Sequence, residues 1–439
     1  MPADKRPSAT SIALVTGASL AWQPRALREA RALAAAGFNV TVLGSSGTQA
    51  AFNLDCALAR ENGFSFRTVV VPDDAVPWAK VGAFRRRVRG RVGRALFRAT
   101  NLSTRWQVGA AVTELFGSAM AARADYYIAH TEQGLWAGLH LLKAGRRVGV
   151  DMEDWHSQDL LPEARKERPV ALLRKIERLL LRGASHVTSP SYAMSEELAR
   201  EFGCAPPSVV YNAERWSERR SIDGQSRDRR DRDRPSLTWY SQTLGPGRGL
   251  EDLFGALSLL NQDVDIHLRG NPVANYSDWL SSAVPERWRR RVFVHDLVPS
   301  HELLSRVAEH DIGFAGEMTA IRSRDLTVTN KIMSYLLAGL AVMASDTSGQ
   351  REVAIQAGGA VSLYPSGDRE ALAKTLDALL ADRDRLAAAR AAALNAAQNI
   401  FCWERQAERL AELVARVIRE PAVNLDQPMP LSFDSAEPS

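Results

Sequence analysis

The sequence predicts an α/β protein built of two Rossmann-like domains that face each other across a cleft. Short apolar segments alternate with amphipathic ones in both halves of the chain, which indicates strands alternating with helices. A segment at 217–235 with almost no apolar residue separates the halves, and 439 residues are too many for one ordinary core. The parallel sheets that this alternation implies hold ligands at the carboxyl ends of their strands.

The first domain is predicted at 11–216, after a polar leader at 1–10. Its apolar segments predict strands at Ser11–Thr16, Asn39–Leu43, Phe66–Val71, Tyr126–His130, Arg147–Val150 and His186–Ser189. Amphipathic spacing predicts helices at Pro24–Ala36 and Leu173–Leu181.

The second domain is predicted at 236–400, after a solvated charged linker at 217–235. Its predicted elements are strands Leu237–Tyr240, Val264–Leu268, Val292–Val294 and Asp311–Ala315 and helices Leu250–Leu260 and His301–Glu309. The run TNKIMSYLLAGLAVMASD at 329–346 changes from helical to strand spacing around Gly339, so it predicts a helix, a turn and a strand. Helices are also predicted at Glu370–Ala397 and, as a closing helix, within 401–420. The tail at 421–439 is predicted to be disordered.

Composition excludes several classes of protein. The three cysteines are isolated, so neither a disulfide framework nor a structural zinc site is expected. No signal peptide or membrane-spanning segment is visible, which favours a cytoplasmic protein. The acidic pairs DVD at 263–265 and DRD at 231–233 lie in a strand pattern and in the linker, so no metal site is predicted there.

The positive charge is concentrated in one segment. Residues 85–98 carry seven arginines and no acid, and apolar residues recur at helical spacing between them. Residues 81–98 therefore predict a basic amphipathic helix that suits an anionic membrane surface, although Gly90 and Gly93 weaken the pattern. A solvated or partner-binding helix is the alternative, and sparse aromatic residues argue against nucleic acid.

The segment LVTGAS at 14–19 resembles the start of a short-chain dehydrogenase. The later glycine positions of that motif are Ala21 and Gln23, and none of the tyrosines starts a YxxxK pair, so that class is rejected. Gly17 is kept as a candidate donor-site residue because it ends the first strand, where a loop faces the cleft.

Two segments of the second domain favour an anion. In GPGRGLEDL the backbone of Gly245, Gly247 and Gly249 can approach a ligand closely, and Arg248 adds a charge at a helix N-terminus. Thr243 precedes this loop. Asn330 and Thr329 can cap the next candidate helix, and Lys331 lies in its first turn, where a bound anion would offset the unfavourable helix dipole. A plain β–α turn and a solvated lysine are the alternatives.

These segments resemble the GT-B glycosyltransferases, specifically the large retaining family 4, over roughly residues 11–420. YSQTLGPGRGLEDL is similar to the family's "KGxxxL" segment, and DLTVTNKIMSYLLAGLAVMASDTSGQREV is similar to its "NKxxEYxAAGxPVVASxxxGxxE" segment. The resemblance implies a GT-B fold with a C-terminal helix that crosses back to the first domain. It also implies that Arg248 and Lys331 contact the diphosphate of a nucleotide-sugar donor without a metal or other cofactor.

The chain departs from the family at two acidic positions. Leu326 and Ser334 stand where the family has a glutamate near the donor sugar and another on the ribose, so Ser334 makes the donor site unusual. Glu317, beyond a predicted strand, is the acid best placed to substitute, unless it is a surface residue. In the first domain Glu153 aligns with a family histidine, and Asp154 and His156 stand beside it, so these three are candidate catalytic residues.

The sequence thus predicts a glycosyltransferase that moves sugar from a nucleotide donor to a glycan or a polyprenyl-diphosphate-linked acceptor in cell-surface polysaccharide synthesis. It is expected to be peripheral at the inner face of the membrane. The alternatives are a non-catalytic binding protein of the same fold and a nucleotide-sugar isomerase or epimerase.

Overall fold

The computed structural model describes residues 10–229, 231–247 and 249–420, and the predicted leader, the tail and Arg248 lie outside them apart from residue 10. Two sheets, each made only of parallel strands, form its centre. The first has seven strands, in the order β3-β2-β1-β4-β5-β6-β7, and the second has six, in the order β10-β9-β8-β11-β12-β13.

The strands of the first sheet lie within residues 11–209. They are Ser11–Val15 (β1), Asn39–Gly44 (β2), Ser65–Thr68 (β3), Tyr126–Ala129 (β4), Val148–Asp151 (β5), His186–Ser189 (β6) and Ser208–Val209 (β7). The strands of the second are Ser236–Leu244 (β8), Asp265–Pro272 (β9), Val292–His295 (β10), Ile312–Ala315 (β11), Ala341–Ser345 (β12) and Val361–Tyr364 (β13).

Helices cover both sheets. In the first half they are Pro24–Ala35 (α1), Gln49–Glu61 (α2), Ala79–Thr100 (α3), Arg105–Val108 (α4), Val112–Ala122 (α5), Thr131–Lys143 (α6), Pro162–Arg165 (α7), Val170–Gly183 (α8) and Tyr192–Phe202 (α9). In the second half they are Leu250–Leu257 (α10), Tyr276–Ala283 (α11), Ser300–Val307 (α12), Arg322–Leu326 (α13), Asn330–Ala338 (α14), Ser348–Gln356 (α15), Arg369–Leu380 (α16), Arg383–Asn399 (α17) and Trp403–Arg419 (α18).

The closing helix α18 returns to the first sheet, as predicted. Its buried residues Trp403, Leu410 and Val414 pack in one core with Ile12 and Leu14 of β1. Two Rossmann-like sheets joined in this way confirm the predicted α/β class.

The helix, turn and strand predicted around Gly339 are confirmed as α14 and β12. Gly339 has φ +80°, and a Cβ there would lie 2.9 Å from Leu394 Cδ2, so only glycine fits this turn. The single helical stretch predicted at Glu370–Ala397 is instead two helices, because the Asp382 carboxylate caps α17 at the amides of Asp384 and Arg385.

The charged segment between the sheets is not solvated along its length, contrary to prediction. Arg229 pairs with Asp311 at 2.9 Å, and Asp223 pairs with the buried Arg306 at 2.6 Å. These ion pairs fasten the segment to the second domain, although the bounds 217–235 stay a prediction.

The arginine-rich helix α3 is continuous over 22 residues, so Gly90 and Gly93 do not interrupt it. Both glycines are buried with Ala79 and Ala83 on the face that packs on the domain. At Gly93 a Cβ would come within 3.1 Å of Thr104 Oγ1, which shows how closely the helix approaches its neighbours. These small residues therefore allow α3 to pack closely against the first domain.

Candidate functional site

A cavity of about 600 Å³ lies between the two sheets. Its walls are the segments that follow the carboxyl ends of β1, β5, β6, β7 and β11, together with part of β8 and the N-terminus of α14. Ligand sites of parallel α/β sheets form at this edge, so the cavity is the candidate functional site. We call it the cleft cavity.

Lys331 and Glu317 meet on the second-domain wall of the cleft cavity. The Lys331 ammonium lies 3.2 Å from the Glu317 carboxylate, and the Thr329 hydroxyl lies 3.4 Å from the same oxygen. Thr329 is the N-cap residue of α14 but makes no side-chain cap, so the predicted capping role of its hydroxyl is wrong. Asn330 also lines the cavity and accepts a hydrogen bond from Asn212 of the first domain at 2.8 Å.

The glycine loop before α10 touches the segment that carries Glu317. Gly249 has φ +79°, and a Cβ there would lie 2.6 Å from the carbonyl oxygen of Gly316. Gly245 is closely packed as well, since its Cβ would lie 2.6 Å from Val273. Gly247 has φ +78° with open space around it, and its amide donates to Glu251 in the first turn of α10. The loop thus lies beside Glu317, and Arg248 lies outside the described residues.

Thr243 belongs to β8 and has an exposed side chain. It pairs with Asn271 of β9, beyond an irregularity in the register after Tyr240. The structure does not place it among the residues that line the cleft cavity.

Glu153 and Asp154 lie on the first-domain wall, directly after β5, and both line the cleft cavity. Burial and the neighbouring Asp151 raise the pKa of Glu153. Burial and the adjacent Glu153 raise the pKa of Asp154 well above its usual value. Two crowded carboxyls with raised pKa values hold a proton more readily than free carboxyls do, which suits proton transfer.

His156 does not join them. It begins a 3-10 turn at His156–Gln158, is largely buried, and its Nδ1 lies 3.9 Å from Glu132 on α6. Burial lowers the pKa of His156 to about 4, so its ring is neutral at neutral pH. Of the three neighbouring candidate residues, Glu153 and Asp154 therefore lie at the cavity and His156 lies in the domain interior.

Leu326 and Ser334, at the two positions where the family has glutamates, are both packed inside the protein. Leu326, on α13, is buried in the core cluster of the first domain together with Met152 and Trp155. Ser334 is buried beneath Asn330, where its hydroxyl donates to the Glu214 carboxylate and accepts from Tyr240 at 2.7 Å. Tyr240 lines the cleft cavity, so a carboxylate does reach this region, from a different part of the chain.

Four charged side chains are buried beneath the first-domain wall: Arg25, Glu29, His130 and Asp151. The Arg25 guanidinium makes two hydrogen bonds to Asp151, at 2.5 and 2.7 Å, and its side chain lines the cleft cavity. His130 lies between the carboxylates, 3.0 Å from Glu29 and 3.3 Å from Asp151. We call these four residues the buried charge cluster.

The pKa shifts of the buried charge cluster differ between its members, since burial and Asp151 raise the pKa of Glu29. Burial alone would lower the pKa of His130, but Glu29 and Asp151 raise it to about 10. Burial would raise the pKa of Asp151, yet Arg25 and His130 hold it well below its usual value. The Arg25 side chain is thereby fixed in orientation at the cavity wall.

Gly17 lies at a different cavity, of about 920 Å³, within the first domain. It has φ +71°, and a Cβ there would lie 2.8 Å from Gln133 Cβ, so a glycine is needed at this turn. Trp22 lines both cavities, so the two are adjacent.

Sequence reasoning missed four residues of the site: Arg25, Asp159, Glu214 and Arg324. Arg25, Asp159 and Arg324 line the cleft cavity. Arg25 and Glu29 are spaced like an exposed i, i+4 ion pair on a helix, so nothing in the local pattern shows that they are buried.

The fold and the cleft cavity define the class of this protein, which has the GT-B fold of glycosyltransferases. Within it, residues 22–213 match the family model described as "Glycosyl transferase 4-like domain". The predicted resemblance to GT-B glycosyltransferases is confirmed, and the match lies in the first domain. No curated protein sequence gives a significant match to the chain.

Solved structures of similar fold cover nearly the whole chain. HepE from Anabaena in complex with UDP has a TM-score of 0.64 and 16% identity, and the alignment covers 93% of this chain and 100% of HepE. Sucrose-phosphate synthase from Thermosynechococcus elongatus has a TM-score of 0.65 and 16% identity, with 93% and 99% covered. A putative UDP-N-acetylglucosamine 2-epimerase from Listeria monocytogenes has a TM-score of 0.54 and 13% identity, with 94% and 97% covered.

None of the helices in the described ranges is long and apolar enough to cross a membrane.

Proposed function

We propose that the protein transfers a sugar from a nucleotide-diphosphate-sugar to a glycan or lipid-linked acceptor, with retention of configuration. The observation that carries the proposal is Lys331 at the N-terminus of α14, facing a cavity between two GT-B domains. An ammonium and free helix amides stabilise the negative charge that grows on a departing diphosphate. HepE, of similar fold, has been solved with UDP and with UDP-glucose.

The donor site proposed here holds the diphosphate between Lys331 and the glycine loop at 245–249, with Arg248 as a second cation. The ion pair between Lys331 and Glu317 is compatible with this role, because a diphosphate offers the lysine a more highly charged partner. Two cations and two helix N-termini supply the compensating charge, so the proposed reaction needs no metal.

On the first-domain side, Glu153 and Asp154 face the reacting groups. Their raised pKa values suit a group that takes the proton of an acceptor hydroxyl and releases it later. Arg25, whose guanidinium donates to Asp151 and to the Val210 carbonyl, lies beside them and holds this wall of the cavity in place.

The proposal also places the enzyme at the surface of an anionic membrane. On α3, Val81, Phe84, Val88, Val92 and Leu96 are exposed, and they lie opposite the buried small residues of the helix. Arginines border this apolar stripe on both sides, which is the arrangement of helices that lie in a membrane interface.

The test is a thermal-shift screen with nucleotide-sugars, followed by assays of transfer and of nucleotide release. We expect at least one donor to raise the melting temperature, Lys331→Ala to abolish that shift, and Lys374→Ala, an exposed lysine on α16, to leave it intact. Donor binding without turnover would indicate a binding protein, and a product still attached to the nucleotide would indicate an isomerase. Either result would overturn the proposed transfer.

A further inference from the structure

The 920 Å³ cavity of the first domain is built differently from the cleft cavity. It is bounded by the segments after β1 and β2, the N-termini of α2 and α5, and one side of α3. All of its lining residues belong to the first domain, and they include Trp22, Arg86, Arg87, Arg91 and Arg94. The lining includes four arginines and no carboxylate. We call it the arginine cavity.

The charge of the arginine cavity is only partly compensated. Arg86 and Arg87 share one carboxylate, that of Asp73, at 2.7 and 3.5 Å. Arg91 and Arg94 have no ion-pair partner among residues 10–229, 231–247 and 249–420. Like charges held together in a concave surface create a positive potential that attracts an anion.

The close packing of α3 fixes where these arginines lie. Because Gly90 and Gly93 bring the helix against the domain, Arg87, Arg91 and Arg94 follow one another along the side that borders the cavity. The N-terminus of α5 also lies at the cavity and adds weaker attraction, whereas the first-turn amides of α2 at Gln49 and Ala51 already donate to Asp74 and Thr48. Guanidinium groups bind phosphate oxygens in a bidentate manner, so this set suits a phosphate better than a lone carboxylate.

We propose that the arginine cavity binds a phosphate or diphosphate group of the acceptor. This inference rests on the proposed function and defines its acceptor as a phosphorylated compound. A volume of 920 Å³ lies within the range of ligand pockets and leaves room for more than the anionic group. Because Trp22 lines both cavities, an acceptor anchored here extends toward the donor in the cleft cavity.

The position of the cavity favours a lipid as the carrier of that group. The apolar stripe of α3 borders the arginines that line the cavity, so a headgroup at a membrane surface reaches them while its chain stays in the bilayer. A water-soluble sugar phosphate carries the same anionic chemistry, and the experiment separates the two sources.

The test compares Arg91→Gln/Arg94→Gln with Arg85→Gln/Arg98→Gln, a charge-matched pair on α3 that does not line the cavity. Both are made in a Lys331→Ala background, so that the cleft cavity contributes less to anion binding. In calorimetric titrations with inorganic diphosphate, the cavity pair is expected to weaken binding at least about tenfold and the control pair by much less. Equal binding by both variants, or no binding by their parent, would overturn the proposal.

The source is identified with two further probes. Phosphatidylcholine vesicles that carry a polyprenyl diphosphate, and soluble glucose 1-phosphate, are each tested for binding that the cavity pair loses and the control pair keeps. If the cavity pair loses binding of either probe, the cavity is supported as the acceptor's anion site and that probe identifies the carrier. If it loses binding of neither probe, the proposal is contradicted. Arg91→Gln/Arg94→Gln is also made without the Lys331 change and titrated with nucleotide-sugars. Its donor binding should be unchanged, so failure of the acceptor site can be told apart from failure of the proposed function.

Discussion

The hydroxyl of Ser334 donates a hydrogen bond to the carboxylate of Glu214, which lies 120 residues earlier in the chain. Ser334 occupies a position where the resembling family has a glutamate. A carboxylate is therefore present in this region, but it comes from the segment before the linker. Burial raises the pKa of Glu214, and Tyr240 completes the group by donating to Ser334 at 2.7 Å.

The first prediction concerns Glu214. Glu214→Ala should weaken nucleotide-sugar binding about twofold to tenfold, because it removes the hydrogen bond that holds Ser334 and, through it, Tyr240 on the cavity wall, and such a bond contributes about 0.5–1.5 kcal/mol. Isothermal titration with the best donor from the screen measures this effect. Glu218→Ala, which removes an exposed carboxylate four residues later, is the control. Unchanged affinity in Glu214→Ala would show that this carboxylate has no part in donor binding.

The second prediction concerns the other departure, Leu326. Because this side chain is buried in the first-domain core, Leu326→Glu should not restore a family-like site and should instead destabilise the protein by several kcal/mol. Urea unfolding measures the change in free energy. Leu259→Glu, at an exposed position of the second domain, should cost less than about 0.5 kcal/mol. Retained stability together with faster sugar transfer in Leu326→Glu would contradict the packing role.

These residues show what the sequence could and could not predict. Apolar periodicity depends on the chain alone, so the two sheets and the run from α14 to β12 were predictable. The ends of the strands were less predictable from the sequence. For example, β9 extends to Pro272 because β8 pairs with it beyond Tyr240. Local pattern also misled at Gly90 and Gly93, where tertiary packing rather than helix propensity explains the glycines.

The candidate site was predictable where its residues follow strands directly. Glu317, Glu153 and Asp154 were identified in this way, Lys331 was identified by its place in the first turn of a predicted helix, and all four line one cavity. His156 lies away from the cavity because the 3-10 turn redirects its side chain, and Glu214 requires a contact across 120 residues. Neither effect leaves a signal in a short window of sequence.

The third prediction concerns pH and the buried charge cluster. The folded-state pKa of His130 is raised from 6.5 to about 10, so the folded protein binds this proton more tightly than the unfolded chain does. The resulting stabilisation is fully present below pH 6.5 and is lost as the pH rises toward 10. His130→Gln should therefore destabilise the protein most at the lower pH, by about 3–5 kcal/mol, since it removes the nearest cation of the buried Glu29.

Urea unfolding of both proteins on either side of this pH window measures the effect. The difference between wild type and His130→Gln should narrow as the pH approaches 10. The groups that face His130 are Arg25, Glu29 and Asp151, and they are present in both proteins. His301→Gln, at an exposed histidine on α12, should show no such trend. A difference that is constant with pH would mean that His130 is not charged in the folded state.

The fourth prediction concerns the apolar stripe of α3. Phe84 is 63% exposed, and Val88 follows it one helical turn later on the same side. Burying such side chains in a membrane interface yields up to about 1.5–3 kcal/mol each, so Phe84→Ser/Val88→Ser should reduce binding to anionic vesicles at least about tenfold. Co-sedimentation measures this loss, and Ile355→Ser, which removes an exposed apolar side chain on α15, should bind like wild type. Because the arginines remain in the double variant, its loss of binding would show that the apolar stripe enters the membrane, whereas full binding would leave only electrostatic attraction.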